Sequence, residues 1–499
     1  MDSKHDKALA SFKGMMHDAE LLNNLDKTLA WDMRVVMPPK GAKPRGETLE
    51  YIARQRYAIL TSPEMGDAIA YLSEQEGLSQ IERRMLAFAS NERRGLLLIP
   101  AKEYTDYAAF NIASEMVWQE ARRLSDYGML KEYLKRQFAY KKMVGTLWGN
   151  GKDPMSALMN PYEEGLNTTI MDSIFDEIKA FAVPFVERYR ERGPLVRQGL
   201  SGAYPKDQQR AFCLEMIKTI GYDLDAGRLD ESAHPYNSSC NRCDVRITTR
   251  YFESDFTLAA LSTLHEMGHA IYWQNMSPNL AGTHLALAAS FGFDESQSRL
   301  MENFIGRSAA FWRYFYPRAK AYFPALDADP ETLCRHLNTI RITPLRLDTD
   351  ELTYNLHIIL RYELEKKLFS GDLSFDDLPA AWNEMSERLL GVRPKNDAEG
   401  VLQDMHWAFG HIGYFQTYVV ANCYDGMLYQ KINRDIPGLN EQLALGDFRP
   451  LVSWLNQNVH QYGMLYPPKE LIRNITGESL NATDYINYLK NKFSMAFCP

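Results

Sequence analysis

Cysteine is scarce in this chain, six in 499 residues, and too scattered to make a disulfide framework. Cys240 and Cys243 form a single CxxC with no second pair and no strand–helix–strand pattern around it, so they read as ordinary reduced thiols. Positive charge is nowhere concentrated. The formal net charge is −8 and there is no block of Lys and Arg, which excludes a nucleic-acid or anionic-membrane footprint. Long hydrophobic runs are also missing. Segments 267–293 and 405–424 lack Asp, Glu, Lys and Arg, but both contain His, Gln and Asn, so neither reads as a membrane span. The opening residues MDSKHDKALASFKGMM have no apolar core of signal-peptide length. Glycine (30) and proline (23) are ordinary in number, and neither a fixed-period repeat nor a low-complexity linker is present. These absences together predict a cytoplasmic globular protein with no nucleic-acid or membrane partner.

What is present supports a large core: 45% of residues are apolar and 12% aromatic. Helical spacing dominates the first ~230 residues, beginning with Leu9, Phe12, Met16, Leu21, Leu22 and Leu25. Segment 243–252 differs. It is dense in β-branched residues and predicts a strand in a short hairpin. Asp255 then stands where a helix N-cap belongs, and Phe256–Asn275 returns to helical spacing. Further helices are predicted at 294–315, 330–342, 350–369, 375–390 and 398–424. The pattern predicts a mainly α, two-lobed protein around a cleft, with a helical part at about 1–230 and a second part at about 231–499.

His265-Glu-Met-Gly-His269 is the most specific local feature. On a helix, residues i and i+4 share a face, so both imidazoles can reach one metal ion. Glu266 lies beside them, placed to approach water without itself ligating. Chance yields only about 0.016 such motifs in a chain with this His and Glu content. A catalytic zinc needs a third protein ligand and an open position. The metzincin solution requires Gly and His at positions that hold Tyr272 and Asn275, so it is excluded. The first carboxylates downstream are Asp294 and Glu295, with Glu302 two turns later, and His284 lies in the intervening loop.

At these residues the chain resembles the metallocarboxypeptidases typified by the Taq carboxypeptidase. The family's HExGHA motif is matched by His265–Ala270, and its HESQ motif by Asp294–Gln297 with Asp in place of His. HPF appears as His234-Pro235-Tyr236, and DxRxT as Asp244, Arg246 and Thr248. IRxxAD appears as Leu345-Arg346 followed by Thr349-Asp350, and GxxQ as Gly400 to Gln403. Leu29-Ala-Trp-Asp-Met-Arg-Val-Val-Met-Pro-Pro resembles the family's entry segment. Separately these motifs are weak; in this order they are specific.

The resemblance implies one metallocarboxypeptidase domain over 1–499, almost all helical, with a deep central groove and a small antiparallel β patch near the active site. It implies Glu295 as third metal ligand and a homodimer. Zinc is the expected ion, with cobalt able to substitute, and Glu266 is the expected general base. The stretch from His406 to Tyr418 is similar to the His- and Tyr-bearing segment of related helical zinc peptidases, which nominates His406 and Tyr414 as oxyanion donors. The strand at Asp244–Tyr251 is placed to pair with an extended peptide, though Asp244 and Arg246 are equally suited to a structural ion pair. His234 and Gln403 are further substrate-binding candidates, and Arg346 is the candidate receptor for a terminal carboxylate. The expected activity is removal of single C-terminal residues from peptides. A helical zinc oligopeptidase or dipeptidyl carboxypeptidase is the alternative, and a non-catalytic peptide binder is disfavoured by the intact Glu266.

Overall fold

The first helix, Ser3–Val35, shows how spacing becomes packing. Phe12, Met16 and Ala19 fall on one face and are buried against Leu60, Met65, Leu72, Met85 and Leu86. Each such side chain removed from water stabilises by roughly 1.5–3 kcal/mol. Leu21 and Leu25 remain about half exposed, at 48% and 52%. At 100° per residue Leu21 lies half a turn round from Phe12, so it was never on the buried stripe.

The structure, a computed structural model, describes residues 3–192, 200 and 202–494. Helices dominate, and the chain divides into two compact units. One comprises Met1–Leu97, Gly199–Leu337 and Leu428–Gly477; the other Leu98–Gln198, Asn338–Met427 and Glu478–Pro499. Each draws on both sides of residue 230. No helix among the described residues is long and apolar enough to cross a membrane.

The first unit carries the sheet: β1 (Gly227–Glu231), β2 (Asn237–Asn241) and β3 (Asp244–Thr249), in the order β1-β3-β2. The expected hairpin is β2–β3, antiparallel with Asn237 opposite Ile247. The sheet is mixed rather than purely antiparallel, because β1 pairs in parallel with β3, Gly227 opposite Val245. A Cβ on Gly227 would lie 2.4 Å from Val245 O, so only glycine lets β1 approach so closely. Helix Phe256–Gln274 packs on β3 and is buried along nearly its whole length. Asp255 caps it as expected, accepting from Thr257 N at 3.0 Å.

Two predicted helices are broken. The segment predicted as 294–315 is helix Phe291–Arg299, a π-helical stretch Leu300–Ile305, and a new helix Ala309–Tyr322 capped by Ser308. The segment predicted as 398–424 is irregular until Gln416, where helix Gln416–Asp435 begins. Gly410 and Gly413 adopt φ of 70° and 76°, the left-handed region that an α-helix excludes.

In the second unit, helix Glu351–Ser370 is buried along most of its length and includes His357, Arg361 and Glu365 among its interior residues. Asp350 caps it, accepting from Leu352 N at 2.8 Å and Thr353 N at 3.1 Å. Charged residues in such a position require partners on other elements.

Candidate metal centre

Helix Phe256–Gln274 carries His265, Glu266 and His269, and helix Phe291–Arg299 carries Glu295. Gly268 sets the distance between these helices. A Cβ there would lie 2.3 Å from Gln297 O and 2.6 Å from Ser298 Cα, both backbone atoms. The glycine inside the His-x-x-x-His turn is therefore what lets the Glu295 helix close on the two histidines. Ser290 caps that second helix through Phe293 N at 3.0 Å.

One ligand atom from each of His265, His269 and Glu295 lies within 4.8 Å of the others. Glu295 Oε2 is 3.7 Å from His265 Nε2 and 3.4 Å from His269 Nε2. Each histidine turns its other nitrogen to a carboxylate. His265 Nδ1 lies 3.0 Å from Glu302 Oε2, and His269 Nδ1 lies 3.2 Å from Asp294 Oδ2. The Glu302 hydrogen bond orients the His265 ring, the Asp294 contact is a charge contact without hydrogen-bond geometry, and both Nε2 atoms face Glu295. Two imidazoles and one carboxylate are a donor set that suits a divalent ion of the zinc type. The residues present fit such an ion.

The carboxylates are themselves held. Arg299 Nε donates to Glu295 Oε1 at 2.7 Å, and Arg307 Nη2 donates to Glu302 Oε1 at 2.8 Å. Trp273 Nε1 donates to Asp294 Oδ1 at 3.2 Å. Burial works to raise the Glu295 pKa, but Arg299 and the two histidines overcome it and hold the group well below the usual range. Glu302 is likewise brought down to about 2, by His265 and Arg307 against its burial. Burial alone would lower the pKa of both histidines. The surrounding carboxylates outweigh it, Glu295 and Glu302 at His265 and Asp294 and Glu295 at His269, so both are raised.

Glu266 is only 6% exposed, and burial raises its pKa, partly offset by His265 and His269. The Asn237 side chain on β2 hydrogen-bonds to it. His284 stands apart, stacked on Phe88 with ring centroids 4.7 Å apart, and is not in the three-residue cluster. Glu302 supports His265 from its Nδ1 side rather than joining the cluster.

A model of the Carboxypeptidase Taq (M32) metallopeptidase family matches residues 11–493. The chain belongs to that family. It is 38% identical over 468 residues to carboxypeptidase 1 of Bacillus subtilis, covering 93% of each chain. It is 36% identical to thermostable carboxypeptidase 1 of Thermus thermophilus, covering 95% of this chain and 96% of that one. The structure is similar to that of an M32 carboxypeptidase from Deinococcus radiodurans, with a TM-score of 0.94, 33% identity and 99% of each chain covered. The protein is a metallocarboxypeptidase, a peptide hydrolase of a family whose chemistry calls for a divalent metal ion.

The other residues singled out in the carboxypeptidase's sequence fall into two groups. In the first unit, His234 is exposed. Asp244 and Arg246 hold one another bidentately at 2.6 and 2.7 Å, with Arg246 4.8 Å above the Trp31 ring. In the second unit, the Arg346 guanidinium is committed to Asp404, with Nη2 2.8 Å from Oδ1, and donates from Nη1 to Tyr354 Oη at 2.9 Å. Arg361 shares the same carboxylate through Nε at 2.7 Å. Gln403 accepts from Arg346 N and Arg361 Nη2, both at 2.9 Å, and donates to Pro344 O and Glu399 O. His406 stacks on Tyr414 with centroids 5.6 Å apart and planes 20° apart. Burial pushes the His406 imidazole down to about 3, so it is neutral at ordinary pH.

The residues not anticipated are Asn237, Trp273, Arg299, Arg361, Asp404 and Glu365. Only Arg299 had a legible signal, four residues on from Glu295 on one helix face.

Proposed function

We propose that this carboxypeptidase removes single C-terminal residues from peptides, with zinc held by His265, His269 and Glu295 and cobalt able to replace it. The observation that carries this reading is the carboxylate set on the Nδ1 side of each histidine. Asp294 and Glu302 occupy their Nδ1 sides, and both Nε2 atoms face Glu295, with Glu266 buried alongside. When bound, the ion supplies a Lewis acid that polarises the scissile carbonyl and makes water more acidic. Glu266 takes a proton from the attacking water and passes it to the leaving amine. Neutral His406 and the Tyr414 hydroxyl donate hydrogen bonds to the oxyanion as it develops.

Arg346 receives the terminal carboxylate of the substrate. Support comes from its cluster, where the guanidinium groups of Arg346 and Arg361 share the one carboxylate of Asp404, a concentration of positive charge that suits an anion. Gln403 positions that cluster, the Asp244–Arg246 pair stiffens β3, and His234 meets peptide from its exposed position. Residues 1–499 act as one enzyme module, as a homodimer in the cytoplasm. None of the described cysteines is in a disulfide, which suits a reducing compartment.

The test is mass spectrometry of free-acid and C-terminally amidated peptides after incubation with zinc-loaded protein. Stepwise loss of single residues from free acids alone is expected. Release of dipeptides, or internal fragments from both peptides, decides for the dipeptidyl carboxypeptidase or the oligopeptidase. Light scattering on the eluting protein should give twice the 57.4 kDa chain mass.

A further inference from the structure

Within the second unit, the irregular segment between Val401 and Phe415 carries His406 and Tyr414. Turns inside it pair some of its backbone groups, His411 N donating to His406 O at 2.8 Å and Gly410 N to Trp407 O at 3.0 Å, and the others need partners elsewhere. Three of its carbonyls are met by side chains of neighbouring helices. Gln137 Nε2 donates to Ala408 O at 2.6 Å, Asn111 Nδ2 to Phe409 O at 3.1 Å, and Trp118 Nε1 to Leu402 O at 3.0 Å. One backbone and one side-chain N–H of the segment, with the side chain of Gln416 just beyond it, converge on one buried acid. Glu365 Oε1 accepts from the Trp407 indole at 2.7 Å, while Oε2 accepts from Gly413 N at 3.2 Å and Gln416 Nε2 at 3.3 Å.

Glu365 is fully buried, on helix Glu351–Ser370, and it sits at a cost to the fold. Burial pushes its pKa up to about 7 even against these three donors and Arg361. An apolar residue of similar volume would stabilise the helix at least as well. What only a carboxylate offers is two acceptor oxygens and no donor, matched to two donors from the segment and one from Gln416. An amide would turn its NH₂ against one of them.

Its two contacts on the segment itself also have a meaning in sequence. Trp407 directly follows His406, and Gly413 directly precedes Tyr414. Between them Gly410 and Gly413 take left-handed φ, so the chain folds back and brings the two rings into a stack. We propose that Glu365 is a positioning residue for the carboxypeptidase reaction, holding the Trp407 side chain beside His406 and the Gly413 backbone beside Tyr414 so that both donors meet the same oxyanion. The inference rests on the reading of His406 and Tyr414 given above.

The experiment compares Glu365→Gln, Tyr414→Phe, His406→Gln and the double variant E365Q/Y414F on a free-acid peptide. Displacing a catalytic group by about 1 Å costs on the order of 10²-fold in rate. Glu365→Gln should therefore lower kcat about 30- to 100-fold, leave KM within about threefold, and leave metal content unchanged. The double variant should cost little more than the worse single one, since a misplaced donor and an absent donor remove the same interaction. The Trp407 indole N–H resonance should move upfield in Glu365→Gln. If Glu365→Gln does not fold, Trp407→Phe removes a single donor and should give the same kcat-selective loss at smaller size.

Unchanged kcat in Glu365→Gln, or in Trp407→Phe where that variant is needed, beside a large loss in Tyr414→Phe, would overturn this proposal and leave the oxyanion assignment standing. Unchanged kcat in both Tyr414→Phe and His406→Gln would overturn the assignment itself, and the proposal with it. Multiplicative losses in the double variant would show that Glu365 acts by another route.

Discussion

Asp294 is the residue by which this chain departs from the HESQ pattern, and its contacts predict what it does for the metal centre. Oδ2 lies 3.2 Å from His269 Nδ1, a charge contact without hydrogen-bond geometry, and Oδ1 accepts the Trp273 indole at 3.2 Å. Replacing it with Asn removes the negative charge and leaves one oxygen between the two groups. Replacing it with Ala leaves His269, 7% exposed, with no anionic neighbour on that nitrogen. Loss of such an outer partner weakens metal binding by about 10- to 100-fold, or roughly 1.4–2.7 kcal/mol. Asn should fall at the low end, because its oxygen can still face the imidazole, and Ala at the high end. Neither should reach the loss expected for His269→Ala, because the Glu302 and Arg299 contacts of the other two ligands remain. Trp273→Phe should cost less than about threefold, since it frees an oxygen of Asp294 without removing its charge. The assay is competition for zinc between the metal-free protein and a chromophoric chelator, which reads affinity without reference to turnover. Equal affinity in wild type and Asp294→Ala, with affinity lost in His269→Ala, would refute the reasoning.

Glu266→Gln should keep its metal while kcat falls by at least about 10²-fold, because the side chain moves protons and does not ligate; wild-type turnover would remove it from the mechanism. Arg346→Ala and amidation of the substrate should each cost about 30- to 5000-fold in kcat/KM, and together little more than either alone, if both break one charge-assisted contact. Gly268→Ala should destabilise by roughly 1–3 kcal/mol and weaken metal binding together, since its methyl meets backbone of the Glu295 helix; thermal melts of apo and holo protein check both. Burial, with Arg56 and Arg84 nearby, pushes His284 down to about 4, so below pH 6.5 the unfolded chain takes up a proton there that the native one refuses. Stability from this group is whole above about pH 6.5 and declines as pH falls toward 4, by on the order of 1.4 kcal/mol per unit. His284→Gln should show that much less slope in urea unfolding across the window, and an unchanged slope would be evidence against it.

Of the cluster His265, His269 and Glu295, the two histidines were legible because their signal is local, whereas Glu295 was singled out from its neighbours only by the family resemblance. A four-residue spacing on one helix survives any tertiary arrangement, and the charge-free stretch after it marked the helix as interior. Glu302 was visible as a carboxylate on the right face, but its role was not. The π-helical stretch Leu300–Ile305 changes the register of that face, and no Pro or Gly inside it announces the change. β1 was missed for a related reason. Gly227-Arg-Leu-Asp-Glu231 has little intrinsic strand preference, and its conformation is imposed by pairing with β3. The segment before Gln416 was misread as helix on its apolar and aromatic content. Gly410 and Gly413 were the available signal, each costing a helix about 1 kcal/mol.

The unanticipated residues of the second unit share one property: they are charged groups inside the core. Arg361, Glu365 and Asp404 belong to types that sequence statistics place at the surface, and here the first two are fully buried. Each is satisfied by residues far away in the chain, Asp404 by Arg346 and Arg361, Glu365 by Trp407 and Gly413. Pairing at such separations leaves no periodic trace, so reading along the chain could not find it. The same remoteness is informative once the structure is known. A core built for stability alone has little use for ionised groups, and these three stand beside residues assigned to the chemistry: Asp404 and Arg361 in the cluster of Arg346, and Glu365 against the neighbours of His406 and Tyr414. Burial of a charged residue alone does not mark a supporting role, since Glu351 is buried against Lys492; it is the contacts of Glu365 on either side of His406 and Tyr414 that give its burial a meaning for the site.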